Sequence, residues 1–378
     1  RSLGERAFAS ANVPYEIKGF ADLLRDPRNS IHFNQAKHRQ LLARAQELGN
    51  DAKLFADANG DVRLFTLAEK LLVPLLAKLS NLVPEGGIWL NTQRPEWNDA
   101  NNALAGWGLS VVTVGHLRRY LNFLSQLFAG ADGQIELSTA TARFARQVGA
   151  ILSPASASDP AARFDTLGAL GQAGEQHRQA VYAGQLGPDV KISFADVRHL
   201  LANALQAVDA TLRANRRADG MYHSYNLLEI VSQQARIAYL DLMLEGQVSV
   251  LGAGLLSPDE ALQLLQALRH SDLFRADQHS YLLYPDRVVK PFLDRNSLPA
   301  NWREKVPAVA ALVDAGDNQI ITSDVSRVAH FQADLTNAKS LEARLDKLSA
   351  DARWQEAVAK DRAALLALWE EVFSHAAF

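Results

Sequence analysis

The residues with the most evident chemistry lie together in one stretch, 91–110, which reads NTQRPEWNDANNALAGWGLS. Two indole rings, Trp97 and Trp107, flank the carboxyl group of Asp99. A flat indole face suits the C–H face of a pyranose ring, while amide and carboxylate groups bond its hydroxyls. A carboxyl group in a partly apolar pocket can stay protonated near neutral pH and act as a general acid. The stretch is therefore typical of a site that binds a sugar and protonates a glycosidic oxygen.

The same residues also fit a structural role. Asp99 or Asn98 would then cap a helix and Trp97 would belong to the core, because capping side chains and buried indoles are common. The two roles do not exclude each other. In the catalytic interpretation, three polar neighbours of the tryptophan contact the sugar, namely Arg94, Glu96 and Asn98.

The segment PEWNDANN, residues 95–102, resembles the Asp-Trp-Asn-Asp motif of the cellobiose phosphorylases and related inverting glycoside phosphorylases. In that family the aspartate two residues after the tryptophan is the general acid, and the tryptophan lines the sugar subsite. The resemblance implies that Asp99 is the acid and Trp97 the platform, in the loop region of an (α/α)6 barrel of the six-hairpin glycosidase superfamily. The chain departs from the motif at Glu96, where the family usually has aspartate. The resemblance covers these few residues and the general helical pattern.

A second polar and aromatic segment, ADGMYHSYNLLEI (218–230), precedes an apolar pattern. His223 is a candidate for binding phosphate or a sugar hydroxyl, and Glu229 is a candidate catalytic base. The alternative is aromatic packing around a turn with a hydrogen-bonded histidine. Four residues of this segment are predicted to bind substrate: Tyr222, His223, Tyr225 and Asn226.

A third segment, RADQHSYLLYPDR (275–287), has the same sugar-binding composition. Arg275 and Arg287 are its candidate phosphate ligands, although an arginine beside an aspartate more commonly forms an ion pair. Its predicted substrate-binding residues are Gln278, His279, Tyr281 and Arg287. Segment 12–34 offers polar side chains for a subsite wall: Tyr15, Glu16, Lys18, Arg25, Arg28 and His32. Segment 318–337 offers Asp324, Arg327, His330 and Asp334, and part of it is predicted to form a short β-like edge. For 12–34, a surface arm is the favoured alternative.

The nucleophile decides the reaction class. An inverting hydrolase needs a second carboxylate roughly 6.5–9.5 Å from the acid to activate water, whereas a phosphorylase needs a phosphate cradle of Arg, His or backbone N–H groups. Several carboxylates, with Glu229 foremost, are available as a base, and the sequence reveals no definite phosphate cradle. We therefore expect hydrolysis with inversion ahead of phosphorolysis.

Two other function classes are compatible with a helical toroid. Polysaccharide lyases rely on Tyr, His and Asn, which makes YHSYN (222–226) a candidate lyase site. Lyases act on uronates and need a basic groove, whereas this chain has 39 basic and 42 acidic residues. A non-catalytic carbohydrate-binding protein is the third possibility. No metal or cofactor is expected, because the sequence lacks cysteine, HExxH, an EF-hand loop, GxGxxG and a Walker loop.

The elements that must position these residues are mostly helical by periodicity. Residues 35–49 place Leu41, Leu42, Ala45 and Leu48 on one face, and nine similar patterns follow, with few candidate strands. Ser193 and Ser257, the latter with Glu260, are predicted N-caps. The predicted helices occupy 35–49, 67–82, 109–129, 137–152, 160–183, 193–215, 227–244, 258–270, 338–349 and 353–376. The pattern predicts a mainly all-α fold, an (α/α)6 toroid of paired antiparallel helices with long irregular loops at one end.

Length and composition bound the remaining possibilities. The 378 residues, 48% of them hydrophobic, predict one toroidal catalytic domain over 1–378, which could form the C-terminal part of a longer chain. The sequence contains no Lys/Arg-rich block, so nucleic acid is not expected as a partner. No apolar run approaches the roughly 20 residues that span a bilayer. The sequence predicts a soluble protein and fits cytoplasm and periplasm equally well. The predicted partners are an oligosaccharide or polysaccharide substrate and, in the phosphorylase alternative, phosphate.

Overall fold

The computed structural model describes residues 2–57, 59–91, 104–153, 159–286 and 292–373. The chain divides into two compact units, Arg1–Asp286 and Arg287–Phe378, called here the first and the second unit. Whether the two units also fold as one cooperative domain, as the sequence suggests, stays a prediction that unfolding experiments can test.

The first unit has nine α-helices among its described residues. They are α1 (Phe20–Arg25), α2 (Gln35–Leu48), α3 (Leu67–Leu79), α4 (Val111–Ala129), α5 (Thr139–Ile151), α6 (Pro160–Tyr182), α7 (Phe194–Ala214), α8 (Leu244–Gly252) and α9 (Pro258–Arg269). A short 3-10 helix, Gly49–Lys53, follows α2. The longest helices pack through apolar faces around one core, with fully buried side chains such as Leu75, Leu121 and Val148.

Side-chain caps explain where several of these helices begin. The Ser193 hydroxyl accepts a hydrogen bond from the Asp196 N–H at the start of α7. At the start of α9, Ser257 and Glu260 form a reciprocal capping box. Both caps satisfy N–H groups that have no partner within the helix, and both confirm predictions from the sequence.

The strands of the first unit are short. They are β1 (Arg6–Phe8), β2 (Tyr15–Ile17), β3 (Ile31–Phe33), β4 (Phe65–Thr66), β5 (Leu82–Val83), β6 (Gly87–Trp89), β7 (Gly108–Ser110), β8 (Gln134–Ser138), β9 (Asp189–Ser193), β10 (Tyr225–Val231), β11 (Gln234–Tyr239), β12 (Phe274–Arg275) and β13 (Ser280–Tyr281). Five of them form an antiparallel sheet in the order β11-β10-β7-β6-β5. The other pairs are β1–β4, β2–β3, β8–β9 and β12–β13.

The predicted all-α (α/α)6 toroid is therefore wrong. Among the described residues 52% are helical and 17% lie in strands, and the five-stranded sheet accompanies the helices. The physical reason is that the segments joining the helices pair over long sequence distances. Residues 134–138 and 189–193, for example, form the β8–β9 pair. Helical periodicity is local and carries no information about such pairing.

The predicted helix over 227–244 is also wrong, because this segment forms the β10–β11 hairpin. Leu228 and Ala235 point to the buried side of the hairpin, as period-two alternation requires. The turn residues Ser232 and Gln233 have φ angles of 49° and 59°, the conformation of a tight hairpin turn. The apolar residues of 227–244 fit both periods, and pairing of β10 with β7 decides in favour of strands.

The second unit has a core of its own. Its described elements are α10 (Phe292–Arg295), α11 (Trp302–Lys305), α12 (Pro307–Asp314), β14 (Ile321–Ser323), β15 (Ala329–Phe331), α13 (Ala338–Leu348) and α14 (Gln355–Phe373). Trp354 is fully buried, and its Nε1 donates to Asp317 Oδ2 at 3.1 Å. The Asp361 carboxylate accepts a hydrogen bond from the Val309 N–H at 2.8 Å. These hydrogen bonds satisfy buried polar groups, which would otherwise destabilise the folded protein.

Candidate functional site

The five residues at the centre of the sequence motif lie outside the described residues. They are Arg94, Glu96, Trp97, Asn98 and Asp99. What the structure does describe is the pair of neighbouring strands on either side of 92–103, because β6 ends at Trp89 and β7 begins at Gly108.

A compact hydrogen-bond network holds the chain on both sides of 92–103. Trp89 Nε1 donates to the Gly106 carbonyl at 3.0 Å, and the Gly106 N–H donates to the Leu90 carbonyl at 2.6 Å. Asn91 Nδ2 donates to Asn81 Oδ1 at 2.7 Å. Gly106 has a φ of 94°, which strains any other residue. The two flanks of the motif are thus fixed at one end of the five-stranded sheet.

Trp107 and Glu229 lie at this same end of the sheet. The Trp107 carbonyl accepts a hydrogen bond from the Leu228 N–H at 2.7 Å. Leu227 pairs with Gly108, so β10 continues past the start of β7 and carries Glu229 beyond it. Trp107 is 47% exposed, which is unusual for an indole, and Glu229 is exposed as well. The structure thus brings together two residues that the sequence separates by more than a hundred positions.

Arg236 is a residue of this region that the sequence analysis missed. It is the direct cross-strand partner of Glu229 in the β10–β11 ladder, and it is exposed. Its Nη2 donates to Gln234 Oε1 at 3.0 Å. The predicted helix over 227–244 would place the two side chains two turns apart, whereas the ladder places opposite charges side by side.

Three of the other predicted residues, Tyr222, Tyr225 and Asn226, are buried. Asn226 Nδ2 donates to the Gly86 carbonyl at 2.8 Å and to Asn215 Oδ1 at 2.7 Å. Tyr222 belongs to the main core of the first unit, and Tyr225 pairs with Ser110 of β7. In this structure they support β10 from inside the protein. Binding of substrate by these residues stays a prediction.

His223 is half-buried and stacks on Tyr239, with ring centroids 4.4 Å apart. Burial, and secondarily the charge of Arg217, lowers its pKa, so the imidazole is neutral at neutral pH. Its Nδ1 lies 3.2 Å from the Leu240 carbonyl. A proton on Nδ1 can donate to that oxygen, which leaves a lone pair on Nε2. Tyr239, half-exposed beside it, escaped the sequence analysis because it fell inside the predicted helix.

The segment 275–286 presents polar side chains to solvent. Gln278, His279 and Tyr281 are exposed or partly exposed, and the Tyr281 ring packs edge-on against Phe274. Arg275 binds both carboxylate oxygens of Asp277 at 2.9 Å, so the ion pair that competes with phosphate binding is present. The hydrogen bonds and charge of Asp277 raise the pKa of the Arg275 guanidinium. Arg287 lies outside the described residues.

The two remaining predicted segments form local contacts. Glu16 lies 3.8 Å from Lys37 Nζ, and Tyr15 packs edge-on against Phe33. In the second unit, His330 Nε2 lies 3.4 Å from Asp324. Other candidates of these segments form the ion pairs Arg25–Asp22 and Arg344–Asp334.

In the part of the chain that the structure describes, no group of three or more His, Cys, Asp or Glu side chains is arranged to hold a metal ion. In the same residues, no helix combines the length and the apolar character that crossing a membrane requires.

A match to a known protein family lies in the second unit. Residues 289–376 match the family described as GH149 phosphorylase insertion domain 2. The matched residues fall entirely within the second unit. None of the curated proteins with which the chain was compared is similar enough to count as a match. The insertion-domain match supports a carbohydrate-active enzyme related to the glycoside phosphorylases, without identifying the six-hairpin superfamily that the EWND segment resembles.

Proposed function

We propose that this protein is a glycoside phosphorylase, which cleaves a glycosidic bond of an oligosaccharide or polysaccharide with inorganic phosphate and inverts the anomeric carbon. The observation that carries the proposal is the match of residues 289–376 to an insertion domain of a phosphorylase family. The EWND segment of the first unit supports the same class through its resemblance to inverting phosphorylases. Because two separate parts of the chain favour phosphorylases, phosphorolysis takes precedence over the hydrolysis that the sequence alone favoured.

Asp99 is the proposed general acid. Its proton passes to the leaving oxygen as the bond from that oxygen to the anomeric carbon breaks, and a phosphate oxygen forms the new bond from the opposite face. The products are a sugar 1-phosphate and a saccharide shortened by one unit. Trp97 and Trp107 are the proposed platforms for the sugar ring.

The other predicted residues divide by accessibility into two groups. Exposed or half-exposed side chains are the first candidates for hydroxyl contacts: His223, Gln278, His279 and Tyr281. Arg94, Glu96 and Asn98 join them from the motif, while the buried Tyr222, Tyr225 and Asn226 are weaker candidates for direct contact. Arg236 is an additional phosphate ligand candidate, because its side chain is exposed and a guanidinium binds phosphate in bidentate fashion.

Replacing Asp99 by Asn tests the proposal. We expect a loss of about 10²–10⁴-fold in the release of sugar 1-phosphate, because the amide cannot donate the proton. The assay uses β-linked gluco-oligosaccharides with and without inorganic phosphate. Asp132→Asn, an exposed aspartate in the turn after α4, is the matched control and should retain full activity. Retained activity in Asp99→Asn would remove Asp99 as the acid.

Hydrolysis is the second candidate, and the position of Glu229 favours it. An exposed carboxylate at the same end of the sheet as Trp107 is a suitable base for activating water. In Glu229→Gln we expect sugar 1-phosphate release to persist and any phosphate-independent cleavage to fall about 10²-fold or more. If wild-type cleavage is independent of phosphate and Glu229→Gln abolishes it, hydrolysis replaces phosphorolysis as the function.

A further inference from the structure

A groove lies on the first unit between α5 and α7, beside β9. Its volume is about 330 Å³, and small-ligand pockets have volumes of roughly 300–1,000 Å³. None of the described residues that line it belongs to the five-stranded sheet or to the chain on either side of 92–103. The groove is therefore separate from the region proposed for catalysis.

The inner surface of the groove is apolar. Small residues of α5, Ala145 and Gly149, leave room between the two helices. At Gly149 the helices approach closely, because a Cβ there would lie 3.5 Å from Leu200 Cδ1, an ordinary contact distance. The buried apolar residues that line the groove are Ala142, Ala145, Ile192, Val197 and Leu200. They form a surface against which aliphatic C–H groups can pack.

The outer part of the groove is polar. Arg146, Asp196 and His199 are exposed, and their side chains have no hydrogen-bond or ion-pair partner among the described residues. The fourth polar residue, Asn203, donates from Nδ2 to the Gly149 carbonyl at 3.0 Å, which fixes its amide and leaves Oδ1 as an acceptor. Three side chains can thus bind a ligand without first breaking a bond within the protein.

The combination of these groups indicates the class of ligand. A carboxylate accepts hydrogen bonds from neighbouring hydroxyls, a guanidinium donates to hydroxyl oxygens, and an imidazole or amide can do both. The charges of Arg146 and Asp196 have opposite signs, so the groove favours neither an anion nor a cation. A neutral molecule with many hydroxyls and an apolar C–H face matches both parts of the groove.

We infer that the groove between α5 and α7 is a second saccharide-binding site, which holds a short neutral oligosaccharide without cleaving it. Hydroxyls of the sugar bond to Arg146, Asp196, His199 and Asn203, and its C–H face packs on the apolar inner surface. The choice of a saccharide rests on the proposed function, whereas the presence of a ligand site rests on the groove and its unpaired side chains.

A fluorescent label beside the groove tests the inference. The sequence contains no cysteine, so Ala150→Cys places a single label next to Gly149 at an exposed position of α5. Gln266→Cys, at an exposed position of α9, is the control position because α9 contributes no residue to the groove. Titration with a β-linked gluco-trisaccharide, without phosphate, should change the fluorescence at position 150 and leave that at position 266 unchanged.

Two substitutions, each combined with the label at position 150, show whether the response comes from the groove. Arg146→Gln and Asp196→Asn should each weaken trisaccharide binding about 10-fold, as expected for loss of hydrogen bonds to a charged group. Arg143→Gln, on the same helix as Arg146, and Asp259→Asn, in the first turn of α9, are the matched controls and should bind as the labelled parent does. Thermal unfolding identifies any variant that is not folded.

Three results would overturn the inference. They are no fluorescence change at position 150, equal affinity in the parent and both groove variants, and tighter binding of hexanoate than of the trisaccharide. Hexanoate is the test for a site that selects an apolar anion.

The outcomes also separate this inference from the proposed function. If the label responds as expected but no sugar 1-phosphate is formed, the saccharide-binding groove stands and the phosphorylase proposal falls. If the trisaccharide yields sugar 1-phosphate while the label at position 150 does not respond, the phosphorylase proposal stands and the groove falls. Arg146→Gln should leave sugar 1-phosphate release from a saturating β-linked gluco-disaccharide unchanged, because the groove is separate from the catalytic region.

Discussion

His177 shows how burial determines the charge of a single residue. Its ring stacks on Phe144 at 4.8 Å, and its Nε2 lies 3.4 Å from Thr141 Oγ1. Burial, together with the charges of Arg178 and Arg143, lowers its pKa from 6.5 to about 4. Between these two pH values the unfolded chain binds a proton that the folded protein does not. Protonation therefore favours unfolding as the pH falls through this window.

We predict that the free energy of unfolding decreases by up to about 3 kcal/mol as the pH falls from about 6.5 to about 4 because of His177 alone. Urea denaturation across this range measures the decrease. His177→Gln should remove this part of the slope, whereas His199→Gln, at an exposed position of α7, should not. An identical slope in wild type and His177→Gln would contradict the prediction.

At the scale of an element, α6 shows how a glycine allows a neighbouring side chain to pack closely against a helix. Phe20 covers Gly171, and the Phe20 ring also packs edge-on against Trp89 at 6.3 Å. A Cβ at Gly171 would overlap with the Phe20 ring. Gly168 lies one turn earlier on the same helix and has nothing within 4 Å of its Cβ position. Close packing against Phe20 thus excludes a side chain at position 171, whereas position 168 has room for one.

We predict opposite effects for alanine at these two positions. Gly171→Ala should destabilise the protein by about 1–3 kcal/mol, because Phe20 must move away from Trp89. Gly168→Ala should stabilise it by about 0.5–1 kcal/mol through the better helix propensity of alanine. Chemical denaturation followed by circular dichroism measures both. Equal effects of the two substitutions would show that the Phe20 contact does not restrict α6.

At the scale of the whole molecule, each unit has buried hydrophobic clusters of its own among the described residues, three in the first unit and one in the second. Leu121 is fully buried in the core of the first unit, and Leu345 is fully buried in that of the second. The main buried clusters are confined to one unit each, and the match to the phosphorylase insertion domain is confined to the second unit. Each unit therefore has the buried core expected of a structure that is stabilised separately.

We predict that Leu345→Ala destabilises the second unit by about 2–5 kcal/mol and leaves the first unit largely unaffected. Hydrogen exchange should accelerate in α13 and α14 and stay unchanged in α4. Leu121→Ala is the converse variant, with faster exchange in α4 alone. Acceleration throughout the chain in both variants would instead confirm one cooperative domain over residues 1–378.

What the sequence determined by itself is the local structure. The capping pairs at Ser193 and Ser257 and the 3.6-residue periodicity predicted α7 and α9 nearly to the residue. The aromatic and acidic composition of 91–110 indicated sugar chemistry, and the family match independently supports a phosphorylase-related enzyme. Each of these signals is carried by residues that are close together in the sequence, so it can be recognised without knowledge of the tertiary structure.

Only the tertiary structure decided which distant residues meet. The pairing of β10 with β7 makes a hairpin of 227–239, buries Tyr225 and Asn226, and brings Glu229 to the end of the sheet where Trp107 is exposed. Strand pairing and burial depend on surfaces contributed by distant parts of the chain, so no local pattern in the sequence contains them.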